Sequence, residues 1–346
     1  MSSQKALYLL QAKGQFAIKE RDIQEPGPNE VLVEIHATAL NPAEWKVQTY
    51  GIFITEYPAI LGCDAAGIVK KVGAGVTDIS VGDRILFQGD YGNRYATFQQ
   101  YSVMPAELVA RIPQNLTLDQ ASSVPAAAAT AALGFYNPKE AGGIALTAPW
   151  EEGGRGKYAD EPILIIGGSS AVGQQAIQFA KLSGFSPIIT IGSLRNEAYL
   201  KSLGVTHVID RAAPLSALPA AVKAITSKPV KVAYDAISEL ETQNAAYDVL
   251  APGGKLIIVL TGAVGKDKIT SEKEISNVHA WVHTPDQREV SKILYANLTG
   301  LLESGAIKPN NIEVLPGGLA GISEGLERLK RGISAAKLVV HPQETA

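Results

Sequence analysis

Ile163–Lys181, ILIIGGSSAVGQQAIQFAK, is the stretch that decides the fold. Its first four residues are an unbroken apolar run, as suits a strand covered on both faces. Gly167–Gly173 follows, made of glycine, serine, alanine and valine. From Gly173 to Leu182 the apolar residues recur at helical spacing. A strand, a small-residue turn and a helix in this order offer main-chain N–H groups and a partial positive charge to an anion. Small side chains let a pyrophosphate approach the backbone. The strict G-x-G-x-x-G is broken by Ser170, so the turn alone fits either a dinucleotide site or a plain glycine-rich βα turn.

The residues that follow repeat the pattern. Pro187–Ile191, Val208–Asp210, Val232–Asp235 and Lys255–Leu260 read as strands, and Glu197–Leu203 as a helix stopped by Gly204. Such alternation predicts a doubly wound parallel sheet with helices on both faces. The second strand refines the ligand. A site for NAD places an acid about twenty residues after the turn, on the ribose hydroxyls. Here the strand runs into Gly192-Ser193-Leu194-Arg195-Asn196, with no acid. Ser193 and Arg195 suit a 2′-phosphate instead, which points to NADPH; the alternative for Arg195 is a solvated arginine at a helix start.

Upstream the chain reads as β. Val31–Ala37 alternates, and Gly67–Val72 and Arg84–Gln88 are short runs between glycine-rich turns. Leu118–Tyr136 is alanine-rich and predicts one helix, whereas Asn137–Pro162 is polar, glycine-rich and aperiodic, a long surface loop of functional or mobile type. After Leu301 short β segments return, with a helix near Ile322–Arg331 and a last strand at Lys337–Val340. The C-terminus is therefore expected to fold back onto the first domain.

Composition bounds the rest. The 346 residues carry a formal net charge of −3, with no basic run to suggest nucleic acid or a membrane surface. No apolar stretch reaches the ~18 residues of a spanning helix, and no signal peptide is read at the N-terminus, so a cytoplasmic location is expected. One cysteine, Cys63, and five histidines cannot build a four-ligand zinc site of the usual kind. Cys63 itself reads as a small core residue.

Several motifs in order resemble the medium-chain dehydrogenase/reductase superfamily. They are Asn41-Pro42-Ala43-Glu44-Trp45-Lys46, Leu61-Gly62-Cys63-Asp64-Ala65-Ala66-Gly67, Val81-Gly82-Asp83-Arg84, Gly167–Gly173, Gly317-Gly318 and Ala336-Lys337-Leu338-Val339-Val340. The resemblance is to its zinc-lacking branch of quinone-oxidoreductase-like proteins and fungal enoyl reductases, of the trans-acting and ToxD-like type. It implies a GroES-like β domain, residues 1–125 and 306–346, and a Rossmann domain, residues 126–305, with the active site in the cleft between them. Zinc-dependent members carry cysteine where Asn41 lies and Gly-His-Glu where Gly62-Cys63-Asp64 lies, so no metal is expected.

That family's chemistry is hydride delivery to an activated C=C bond of an unsaturated carbonyl, enoyl thioester or quinone. The resemblance makes Lys46 and Thr130 the catalytic candidates. Lys46 is expected by the nicotinamide ribose, holding the cofactor or donating to the substrate oxygen; otherwise it is a solvated helix lysine. Thr130 is expected to face the nicotinamide, or else to bond its own helix. The cofactor set is completed by Asn41, by Gly168, Ser169, Ser170, Ala171 and Val172 of the turn, by Ser193, Arg195 and Asn196, by Leu260 and Thr261 at a strand end, and by Lys337. Trp281-Val282 either runs beside the nicotinamide or is ordinary packing. Tyr50, Tyr91 and Tyr95 are unranked proton donors. The partner is a small unsaturated carbonyl compound or an acyl carrier domain, and the chain a monomer or homodimer. A non-catalytic NADPH-binding protein is the competing reading.

Overall fold

The computed structural model describes residues 3–346. They form two compact units. The first takes the chain up to residue 126, together with 292–304 and 309–346; the second takes 127–291 and 305–308. The segment 292–304, assigned from sequence to the nucleotide-binding domain, thus groups with the β domain. It is the latter part of a 19-residue helix, Pro285–Glu303, which no sequence motif announced.

In the first unit the strands are β1 (Ser3–Leu9), β2 (Phe16–Asp22), β3 (Glu30–Ala39), β4 (Ala59–Ile60), β5 (Asp64–Val72), β6 (Arg84–Gln88), β7 (Tyr101–Pro105) and β8 (Val109–Arg111). β15 (Ile312–Val314) and β16 (Lys337–Val340) join them from the C-terminal end. β3 is the hub, pairing antiparallel with β5, β7 and β16. The pairs Val339–Ala39 and Val340–Thr38 close the C-terminal segment onto this sheet, as the sequence implied. A smaller sheet runs β2-β1-β4.

Helix α1 (Pro42–Tyr50) starts with proline at its first position and ends on Gly51 in the left-handed region. Glu44 bonds back to the Asn41 main-chain N–H, which satisfies a donor at the helix start. The single helix expected over Leu118–Tyr136 is two: α2 (Leu118–Ser122) and α3 (Pro125–Tyr136). Pro125 lacks an N–H and disfavours helical φ/ψ in Val124, which accounts for the break.

In the second unit, β9 (Ile163–Ile166), β10 (Ile188–Gly192), β11 (His207–Asp210), β12 (Val232–Asp235), β13 (Lys255–Ile258) and β14 (Glu274–Asn277) make one parallel sheet in the order β11-β10-β9-β12-β13-β14. The sheet reverses direction of growth at β9, and ligands bind at such a switch point beyond the strands' carboxyl ends. Helices α4 (Ala171–Ser183), α5 (Glu197–Leu203), α6 (Leu218–Ile225) and α7 (Leu240–Val249) connect the strands. The long helix is α8 (Pro285–Glu303), and α9 (Ile322–Arg331) belongs to the first unit.

The stretch expected as an open loop, Asn137–Pro162, is largely irregular but is packed down. Its Ile144 and Leu146 N–H groups bond Gly134 and Phe135 carbonyls, and Trp150 lies edge-on to Tyr136 at 5.2 Å between ring centroids. Ile144 and Ala148 are buried. Isolated apolar anchors, hidden by the polar average of the segment, hold it. β13 ends at Ile258, so Leu260 and Thr261 lie in the turn beyond the strand rather than at its end.

Candidate active site

The turn after β9 is built for close approach. Gly167 has φ +78°. A Cβ on Gly168 would lie 2.2 Å from Thr190 Oγ1 on β10, and one on Gly173 only 2.2 Å from the Gly167 carbonyl oxygen. A side chain at Gly168 would strike β10, and one at Gly173 would push α4 away from the turn. Ser170, which breaks the glycine pattern, is the N-cap of α4, and its Oγ accepts the Gly173 N–H at 3.0 Å. The serine thus substitutes a helix cap for backbone freedom. Ser169 Oγ accepts from the Asn196 side-chain amide at 3.2 Å, which ties the turn to the segment after β10.

Registration of Ile191 with Ile166 places the ends of β10 and β9 side by side. A Cβ on Gly192 would be 3.3 Å from Ser169 Oγ. Ser193 is half-buried and Arg195 exposed, in a short 3₁₀ turn at Leu194–Asn196. The Gly168–Val172 turn and the Ser193–Asn196 set are therefore one surface at the carboxyl edge of the sheet, with a cradle that a Cβ would fill and no acid on the second strand's end. These residues fit an anionic dinucleotide.

One acid at this edge was missed in the sequence. Asp235 ends β12 beside Ile166, buried, and its Oδ1 accepts the N–H groups of Ile237 and Ser238 at 3.0 and 2.9 Å. Burial raises its pKa. It serves its own turn. Thr130 is half-buried in α3, and its carbonyl oxygen accepts the Tyr234 hydroxyl at 2.8 Å. Leu260 and Thr261 are exposed in their turn, and Gln243 Nε2 donates to the Thr261 carbonyl at 3.0 Å.

The first unit holds a buried polar network. Lys337, 3% exposed, donates from Nζ to Asn41 Oδ1 at 2.7 Å and to Asp64 Oδ2 at 2.6 Å. Asn41 Nδ2 donates to the same Asp64 oxygen at 2.9 Å and approaches Cys63 Sγ at 3.3 Å. The Cys63 thiol donates to Glu44 Oε1 at 3.3 Å. Glu44 is wholly buried; burial pushes its carboxyl up to about 7, against the opposing bond from the Asn41 N–H. Burial and the two neighbouring carboxylates also push the Cys63 thiol well up, so it stays protonated. Cys63 is half-buried and belongs to this polar network, not to the apolar core expected for it.

Lys46, next but one along α1 from Glu44, holds its ammonium 5.6 Å from the Trp45 ring centroid; Lys330 of α9 approaches the same ring at 6.0 Å. The three tyrosines now separate. Tyr95 gives its hydroxyl to Glu30 at 2.8 Å, and Tyr50 is 56% exposed. Tyr91 lines a pocket of about 600 Å³ with Tyr8, Phe53, Ile54, Tyr57 and Asn93, and lies within electrostatic reach of Cys63, Glu44 and Asp64. Asn93 fixes this pocket by accepting the Ile60 N–H at 3.0 Å. Among the described residues no three His, Cys, Asp or Glu side chains gather to hold a metal, and no helix is long and apolar enough to cross a membrane.

Comparison with known proteins recognises both the antiparallel β unit and the parallel-sheet unit. The family described as alcohol dehydrogenase GroES-like domain matches residues 27–114, and that described as zinc-binding dehydrogenase matches residues 171–292. The chain belongs to the medium-chain dehydrogenase/reductase superfamily, in its enoyl-reductase branch. It is 30% identical over 320 residues to a trans-enoyl reductase of Aspergillus japonicus, covering 90% of this chain and 89% of that protein. It is 29% identical over 340 residues to the enoyl reductase component of the lovastatin nonaketide synthase of Aspergillus terreus, with 90% and 89% covered. An alcohol dehydrogenase superfamily protein from Novosphingobium aromaticivorans shares the fold with a TM-score of 0.82 at 23% identity, over 98% of this chain and 99% of that one. The zinc of the second family's description does not fit the residues present, because an ammonium already sits on the Asn41 and Asp64 oxygens.

Proposed function

We propose that this protein is an NADPH-dependent, zinc-independent reductase of activated C=C bonds: enoyl thioesters, other α,β-unsaturated carbonyls or quinones. One observation carries the reading. The Lys337 ammonium sits on the Asn41 and Asp64 oxygens, which supports an acceptor polarised by hydrogen-bond donors in place of a metal.

The Gly168–Val172 turn and the first N–H groups of α4 would receive the pyrophosphate, and Ser193, Arg195 and Asn196 the 2′-phosphate. When bound, the nicotinamide supplies the hydride for the β-carbon. Lys46 and Lys337 are the cations of the first unit we assign to the cofactor, and Lys46 also to the oxygen that becomes negative as the bond is reduced. The α-carbon takes its proton from solvent or from a side chain; of Tyr50, Tyr91 and Tyr95, Tyr91 is the one that lines the pocket. Burial and nearby carboxylates raise its pKa, so it remains a donor.

The relatives favour a synthase-linked role, because those compared are a trans-enoyl reductase and a synthase component. The test is a steady-state panel of unsaturated aldehydes, ketones, quinones, and free and carrier-bound enoyl thioesters, each with NADPH and NADH. NADPH-driven reduction of enoyl thioesters, faster on a carrier, is expected. A protein that binds NADPH yet reduces none of them would be a binding protein, not a reductase.

A further inference from the structure

Asp64 opens β5 with no exposed surface. Its carboxylate receives three donors, each from a different element. Lys337 Nζ on β16 reaches Oδ2 at 2.6 Å, and Asn41 Nδ2 at the head of α1 reaches the same oxygen at 2.9 Å. The Ala126 N–H in the first turn of α3 reaches Oδ1 at 2.6 Å. A carboxylate offers about four lone-pair sites, so Asp64 is close to saturated.

We propose that Asp64 is the positioning residue of the first unit's cofactor site: its carboxylate aims the buried Lys337 ammonium, and the bond from Asn41 to the same oxygen fixes that amide. Lys337 is nearly as buried as Asp64, so the direction of its Nζ is set by the oxygens it bonds rather than by water. Among the described residues Asp64 is the carboxylate that bonds the Lys337 ammonium. The Glu44 carboxyl acts on that ammonium only through space; it is occupied by the Asn41 N–H and the Cys63 thiol, and burial favours its neutral form. The Cys63 thiol and the Tyr91 phenol stay neutral. Asn41, with its amide oxygen on Lys337 and its amide nitrogen on Asp64, closes the triangle. The inference rests on the assignment of Lys337 and Asn41 to the cofactor made above, and it adds a residue that does not itself touch the cofactor.

The experiment compares Asp64→Asn, Asp64→Glu and the double variant Asp64→Asn/Lys337→Met by steady-state kinetics with NADPH and an enone, and by direct NADPH titration. Asp64→Asn keeps the shape and removes the charge. Its KM and Kd for NADPH should rise about 10- to 100-fold, the range seen when the partner of a site ligand is removed. KM for the enone should not move. Asp64→Glu restores the charge and should bring NADPH affinity back to within about threefold. A folded Asp64→Asn that binds NADPH like the wild type overturns the proposal. So does an equal loss in both single variants with both KM values shifted together, which is what general destabilisation gives. If Asp64→Asn does not fold, the double variant, which buries no unpaired charge, carries the test: wild-type NADPH affinity there overturns the proposal. A wild-type protein with no NADPH affinity overturns the functional reading itself, and this inference with it.

Discussion

The wild type should lose stability between pH 5 and pH 8, and replacing Glu44 by glutamine should abolish that loss. The Glu44 carboxyl is raised by burial from 4.5 to about 7, so over that interval the folded chain holds a proton that the unfolded chain has released. Stability follows the proton count: where the native state binds more, stability drops as pH rises. The contribution is therefore complete below pH 4.5 and gone above pH 7. At about 1.4 kcal/mol per pH unit, the interval from 4.5 to 7 corresponds to about 3 kcal/mol, an order-of-magnitude figure for so buried a group. Glutamine retains an oxygen for the Asn41 N–H and has nothing to titrate. Glu44→Gln should thus be more stable than the wild type at pH 8 and lose that advantage at pH 5. Urea unfolding of both proteins at half-unit steps, followed by tryptophan fluorescence and circular dichroism, measures the difference, and every other titrating group cancels in it. Parallel curves for the two proteins across pH 5–8 would instead place the Glu44 carboxylate in an environment that tolerates its charge.

Three further outcomes follow from the site. Gly173→Ala puts a methyl 2.2 Å from the Gly167 carbonyl, so α4 must shift; a loss of about 1–3 kcal/mol in stability and of most NADPH affinity is expected, seen by thermal melting and by nucleotide fluorescence titration. Arg195→Ala should raise KM for NADPH about tenfold or more while leaving KM for NADH alone, because the charge-assisted bond to a 2′-phosphate is absent with NADH; no effect on either would leave Arg195 in solvent, and equal losses with both would place it on a part the two cofactors share. Lys46→Met should lower kcat/KM about 100-fold, the loss typical of one donor to a developing oxyanion, with the circular dichroism spectrum unchanged.

Much of the fold was legible because its signals are local. The four-residue apolar run at Ile163, the cap at Gly204 and the alternation along β3 each follow from neighbours in sequence. The split between α2 and α3 was legible too, since Pro125 stands at the break, but the alanine-rich composition masked it. The α8 helix carries no motif and no glycine until Gly300, so no local signal marked it in the sequence. The strand, turn and helix from Ile163 to Ser183 were readable residue by residue, and the structure adds the Ser170 cap, the tight clearances at Gly168 and Gly173, and the bond from Asn196 to Ser169. What the sequence hid was the network of Asp64, Glu44 and Lys337. Asp64 and Lys337 are 273 positions apart, and each motif gives a charged residue without its partner. Only a sheet that brings β16 and β5 to either side of β3 makes them an ion pair.

The proposed chemistry is hydride delivery from NADPH to a carbon–carbon double bond without a metal. NADPH labelled with deuterium at the transferable position of the nicotinamide, incubated with an enoyl thioester with and without a chelator, tests it in one step. One deuterium is expected at the β-carbon of a saturated thioester, at the same rate in both incubations. Deuterium on the carbonyl carbon, or turnover that stops with the chelator and returns with zinc, would contradict it.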